Sequence, residues 1–198
     1  MLKKNKQEYK MLDKLFTEAR THSFWLDKPV DDKLLQQAYD IAKMAPTSAN
    51  QQPMRVVFVK TPEAKERLLP LVDKGNFDKT KTAPVTAIVA YDLKFYNELP
   101  WLFPHVDAKS WFGHNAESDK TAAMLNGSLQ GAYLLIALRA VGLDCGPMSG
   151  FNKEAVDKEF FGGTEFKSNF LMNIGYGDAS KLHPRSPRPD FDKFCKII

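Results

Sequence analysis

The chain has 198 residues, 43% of them hydrophobic and 26% charged, with a net charge of +4 at pH 7. That length suits one compact domain across 1–198 with a sizeable core, and the composition is that of an ordinary globular protein. The positive excess is terminal: the first ten and the last eighteen residues each carry +3, which leaves −2 on the intervening 170, so the basic stripe of a nucleic-acid binder is missing.

Cys145 and Cys195 form no CxxC pair, and no His/Cys cluster has metal-ligand spacing. The basic start MLKKNKQEYK is not followed by an apolar run, and the most apolar stretch, AYLLIALRAVGL, is broken by Arg139 and too short to cross a bilayer. A cytoplasmic protein with free thiols is expected, with no metal and no nucleic-acid or membrane partner.

In chain order, residues 1–8 read as a flexible tail. Met11, Leu12, Leu15, Phe16 and Ala19 have helical spacing, which predicts a helix over 9–20. PVDDKLLQQAYDIAKMAP predicts a second helix, capped by Asp31 or Asp32 and ended by Pro46, with Leu34, Leu35, Ala38, Ile41, Ala42 and Ala45 as its buried face. MRVVFVK and PVTAIVAY read as strands, and between them Pro62 opens a short helix. Residues 93–115 are aromatic-rich and broken by Pro100 and Pro104, which suits a loop or short-helix excursion over a site. Residues 117–142 predict the longest helix, apolar on almost every face from Ala132 to Val141 and so centrally buried, with Gly142 as its cap. The turn-forming DCGPMSGF, a helix over NKEAVDKEFF capped by Asn152, and a buried strand FLMNIGYG follow. From Asp178 the chain is basic, and Pro184, Pro187 and Pro189 exclude a regular helix. The layout is α+β; no G-x-G-x-x-G motif follows a strand, and no Walker A sequence is present.

Four polar segments lie between predicted elements, where backbone N–H groups are free to bind a ligand. RTHSFW (20–25) reads on residue types alone as a helix terminus with a surface histidine. APTSANQQP (45–53) holds more polar residues than a turn network requires. GPMSGF (146–151) is turn-forming, and Arg185 and Arg188 in KLHPRSPR stand three apart, able to converge on one phosphate. No nucleophile motif is present, so catalysis here calls for a cofactor.

The order of these segments, P-[ST]-S-x-N-x-Q-P above all, then G-P-x-x-G-F, I-G-Y-G and a basic Pro-containing tail, resembles the nitroreductase family of flavoproteins from about residue 12 to the C-terminus. RTH, PTSAN, TAPVTAIVA, LFPH, GPMSGF and NIGYGD are most similar to its malonic semialdehyde reductase branch. The resemblance implies an α+β, three-layer α/β/α sandwich with a mostly antiparallel central sheet. It also implies an intertwined homodimer whose C-terminal extension, 178–198, packs on the partner, and FMN at the subunit interface. By motif, Arg20, Thr21, His22 and Ser23 would hold the ribityl chain, phosphate and pyrimidine edge. Pro46, Thr47, Ser48 and Asn50 would reach the flavin from the other protomer. Pro147, Met148, Ser149 and Gly150 would form the turn over the isoalloxazine, and Arg185 and Arg188 the phosphate clamp. Many members carry further basic residues where this chain has Ala19 and Ser23, and Glu where it has Ser149.

The activity implied is a ping-pong hydride relay from NADH or NADPH through flavin N5 to a small electrophile, here malonic semialdehyde, giving 3-hydroxypropionate. A proton for that product would come from His22, His105 or water. The alternatives are a generalist nitro- or quinone reductase and a non-catalytic FMN-binding protein.

Overall fold

The computed structural model describes the backbone of residues 6–198 and the side chains from Tyr9 onward. Among these residues four strands, β1 (Met54–Val59), β2 (Val85–Asp92), β3 (Asp144–Met148) and β4 (Phe166–Gly175), pair antiparallel throughout in the order β1–β2–β4–β3. β2 is buried at every position, because helices cover both faces of the sheet; a strand so placed reads as a continuous apolar run rather than an alternating one. Val56 faces Val89, Ile88 faces Leu171 and Cys145 faces Ile174. The sheet's open edges are β1 and β3.

The helices are α1 (Lys6–Leu12), α2 (Asp32–Ala42), α3 (Pro62–Leu68), α4 (Lys74–Thr82), α5 (Leu99–Leu102), α6 (Ala116–Ala140), α7 (Lys153–Phe161) and α8 (Phe191–Phe194). α2 and α6 pack on one face of the sheet, where Leu35, Ala38, Leu134, Ala137 and Leu138 meet Val85, Ala87, Val89, Met172 and Ile174. α3 and α7 cover the other, where Leu68, Val156 and Phe161 meet Val59, Ile88, Ala90 and Leu171. The result is the α/β/α sandwich expected.

The caps follow local chemistry. Asp31 accepts from Lys33 N–H (2.9 Å) at the start of α2, Asn115 from Glu117 and Ser118 at the start of α6, and Asn152 from Ala155 at the start of α7. Gly142, at φ 94°, ends α6 in the left-handed conformation that costs glycine least.

Several boundaries differ from expectation. Of the tail expected over 1–8, residues 1–5 lie outside the described residues, and Lys6 already begins α1. The first helix continues only as a π-helical turn, Asp13–Thr17, and stops short of residue 20. Ile41 is 45% exposed rather than buried, since α2 turns only its Leu35–Ala38–Ala42 face to the sheet. α6 is likewise half-covered: Leu134, Ala137 and Leu138 are buried, while Met124, Leu125, Leu129 and Tyr133 form a stripe of apolar residues left exposed among the described residues. Residues 144–148 are an edge strand where the sequence reads as a turn, α4 has no counterpart in the sequence reading, and the tail, expected to carry no regular helix, forms the single turn α8 beyond its last proline, Pro189.

Candidate functional site

Residues 21 and 22 run beside edge strand β3. Thr21 bridges Cys145 in parallel, and His22 N–H donates to Cys145 C=O (3.1 Å). The approach is close enough that a Cβ on Gly146 would lie 2.3 Å from the His22 carbonyl oxygen, so only glycine fits there. The next stretch of chain, Phe24–Leu26, is tied to the end of β4: Leu26 N–H donates to Tyr176 C=O and Asp178 N–H to Phe24 C=O. These contacts fold the post-β4 tail back over the N-terminal segment.

The fold thereby closes a cavity of about 470 Å³ whose lining includes Arg20, Thr21, His22, Ser23, Arg185 and Arg188, together with Arg139, Asp178 and Lys181. Five cations share this space. Among the described residues none of them forms an ion pair with a carboxylate. Their recorded partners are backbone carbonyls: Arg20 donates to His183 C=O, Arg139 to Leu15 C=O (3.0 Å), and Arg185 to those of Thr17 (2.7 Å) and Ala19 (3.0 Å). The single acid, Asp178, accepts from the Ser180 hydroxyl and amide, which hold its carboxyl below the usual range and leave it charged but occupied. Cations crowded together with one acid make an anion-binding field.

His22 is 6% exposed rather than a surface residue, and its Nδ1 has no hydrogen-bond partner. Its Nε2 lies 3.7 Å from Asp144 Oδ1, while Asp144 Oδ2 accepts from Gly177 N–H (2.9 Å). The sequence gives no sign of this burial, which comes from the tail crossing over the ring.

At the end of β3 the turn Pro147–Gly150 is braced from α4. Gly150 C=O accepts from Asp73 N–H (3.1 Å) and from Asn76 Nδ2 (2.9 Å), and a Cβ on Gly150 would meet that Nδ2 at 2.4 Å. The Trp25 indole also donates to Lys79 C=O at 3.1 Å, so α4 holds both the turn and the N-terminal segment. Pro147 and Ser149 are exposed and Met148 is buried. Asp73 and Asn76 had no signal in the sequence beyond lying in a polar stretch.

Pro46, Thr47, Ser48 and Asn50 are not part of this arrangement. They precede β1, at the opposite edge of the sheet, and Pro46, Thr47 and Asn50 line a different cavity of about 820 Å³ with Arg55, Trp101 and Leu102. Ala49, Asn50 and Gln52 all have positive φ (47°, 50° and 45°), a conformation that is strained for residues with a side chain. A polar network holds it. Asn126 of α6 accepts from Ser48 N–H (2.9 Å) and donates to Gln51 Oε1 (3.0 Å). Gln130, one turn later, accepts from Met54 N–H (2.9 Å) and donates to Gln52 Oε1. Asn50 Nδ2 donates to Leu102 C=O (2.7 Å). Gln51 and Gln52 therefore serve the inside of their own chain.

The Nitroreductase family profile matches residues 17–176. A protein of Ralstonia nicotianae, provisionally named an NADH dehydrogenase/NAD(P)H nitroreductase, is 54% identical over 191 residues, 96% of this chain and 98% of its own. A Burkholderia lata protein with the same provisional name is 58% identical over 186 residues, covering 94% and 95%. A crystal structure from Exiguobacterium sibiricum, provisionally named a nitroreductase and solved in complex with FMN, superimposes with a TM-score of 0.82 over 93% of this chain and 96% of its own at 20% identity, a likeness of fold. A match over most of the chain and relatives above half identity leave one assignment: this chain belongs to the nitroreductase family.

Proposed function

We propose that the chain is an FMN-dependent NAD(P)H oxidoreductase that acts as a homodimer. The observation that carries this reading is the cavity in which Arg20, Arg139, Lys181, Arg185 and Arg188 gather without a carboxylate partner among the described residues. The residues fit the cofactor. The cations suit a dianionic phosphate, the exposed Thr21 and Ser23 hydroxyls suit a polyol and a pyrimidine edge, and the orphaned Nδ1 of His22 is a buried polar atom in the same lining. FMN, when bound, supplies the two-electron chemistry that no side chain here offers. Arg20, Arg185 and Arg188 would neutralise its phosphate. The turn Pro147–Gly150, held by Asn76, would present backbone N–H groups to the ring.

Two features favour a dimer with shared sites. Pro46–Asn50 stands at the far edge of the sheet from the cations, so it reaches a flavin only from a second copy. The apolar stripe on α6 and the exposed Phe191, Phe194, Ile197 and Ile198 of the tail are surfaces that a second copy would cover.

For the acceptor, the motif resemblance supports malonic semialdehyde and the relatives' names support a nitro compound. The cofactor assignment is tested by an absorbance scan of the full-length protein after incubation with FMN and desalting. Retained flavin that NADPH bleaches anaerobically is expected, and absence of retained flavin would overturn the reading. Comparing kcat/KM for malonic semialdehyde with that for nitrofurazone and menadione then assigns the acceptor; a strong preference for the latter two makes the enzyme a generalist.

A further inference from the structure

Arg139 is the one charge in the apolar stretch 132–141 of α6. It is half-buried and lines the cation cavity, and one of its N–H groups donates to Leu15 C=O at 3.0 Å. We infer that Arg139 is a forked phosphate ligand in this cavity, an inference that rests on the FMN reading above.

Its surroundings argue the role. A guanidinium carries five N–H donors, and the Leu15 carbonyl uses one of them. Burying the rest partly without an anion is costly, and no carboxylate among the described residues pairs with it. Arg139 also stands in the last turn of a 25-residue helix, whose carboxyl end carries a partial negative charge that repels a phosphate. A cation between that helix end and the cavity reverses the local field. Capping α6 is a smaller duty, because the Ala140 carbonyl already accepts from Lys14 Nζ at 2.8 Å. Arg185 and Arg188 differ in kind: both are exposed and sit on an irregular, proline-punctuated tail. Arg139 is fixed by a helix, so it loses less freedom when it engages a ligand. It would give the site a rigid wall onto which the tail arginines close.

The experiment measures dissociation constants for FMN and for riboflavin, which lacks only the phosphate, on full-length protein stripped of flavin. Wild type is expected to prefer FMN at least tenfold. Arg139→Gln should lose about tenfold to a hundredfold in FMN affinity, as for a hydrogen-bonded charge, with riboflavin affinity unchanged. Equal weakening of both flavins would reduce Arg139 to a brace for Leu15 and overturn the inference, as would no change in either. Arg139→Lys keeps the charge and loses the fork, and it answers the question should the Gln variant fail to fold. Its FMN preference should fall several-fold, and a preference equal to wild type would overturn the forked contact. A wild-type protein that binds FMN and riboflavin equally would instead refute the placement of the phosphate in this cavity.

Discussion

Buried Lys65 on α3 has no acidic partner among the described residues; its ammonium donates to Thr80 C=O (2.8 Å) and Thr86 Oγ1 (2.7 Å). Burial pushes its pKa down from 10.5 to about 8. A base with a lowered folded pKa binds fewer protons folded than unfolded between those values. Stability should therefore rise as pH climbs from 8 to 10.5, by about 3 kcal/mol at most. Urea denaturation of wild type and Lys65→Met across that range checks this: the difference between the two should drift toward wild type with rising pH, and a constant difference would refute it. A second residue-scale expectation concerns Asn126, whose amide serves Ser48 N–H and Gln51 Oε1. Asn126→Ala leaves the buried Gln51 carbonyl unpaired and should cost about 2 kcal/mol in the same assay. It should also release the left-handed backbone at Ala49, Asn50 and Gln52, read as faster amide exchange over 49–52 with β2 unaffected.

At the scale of elements, the strands and helices with strong periodicity were legible. β2, α2, α6 and α7 appear where apolar spacing and capping residues place them, because local and tertiary preferences agree there. β3 was not legible. Its sequence, Asp144-Cys145-Gly146-Pro147-Met148, carries two turn formers in five residues, and it stands as a strand because Gly146 admits the His22 carbonyl and Pro147 sits on an edge, where a missing N–H is tolerated. α4 was hidden for a different reason: Lys74–Thr82 has only Thr80 buried, so it displays no apolar face. The candidate site divides the same way. Arg20, Thr21, Ser23, Arg185 and Arg188 were readable as motif, whereas Arg139 and Asn76 become site residues only through packing. α4's bracing role leads to an expectation: Gly150→Ala should push Asn76 aside and loosen flavin retention several-fold while the melting temperature falls only modestly. Equal retention by variant and wild type would refute it.

For the whole molecule, the proposed sharing of a flavin between Pro46–Asn50 of one copy and the cation cavity of another would make oligomeric state a functional variable. Sedimentation should give a dimer, and Leu129→Glu, which places a charge in the exposed stripe of α6, should shift it toward monomer and release flavin in parallel. A monomeric variant that keeps its FMN would show that one chain suffices.

The strand order carries a further consequence during synthesis. β2 needs β1 and β4 as neighbours, yet β4 begins at Phe166, 74 residues after β2 ends at Asp92. At roughly 5–20 residues per second, the strand that ends up buried at every position waits about 4–15 s with one edge bare beside the ribosome. Only then does β4 slot between β2 and the already translated β3. Long-range pairing of this kind folds slowly, and nascent chains stalled before residue 166 should recruit a chaperone that full-length chains do not.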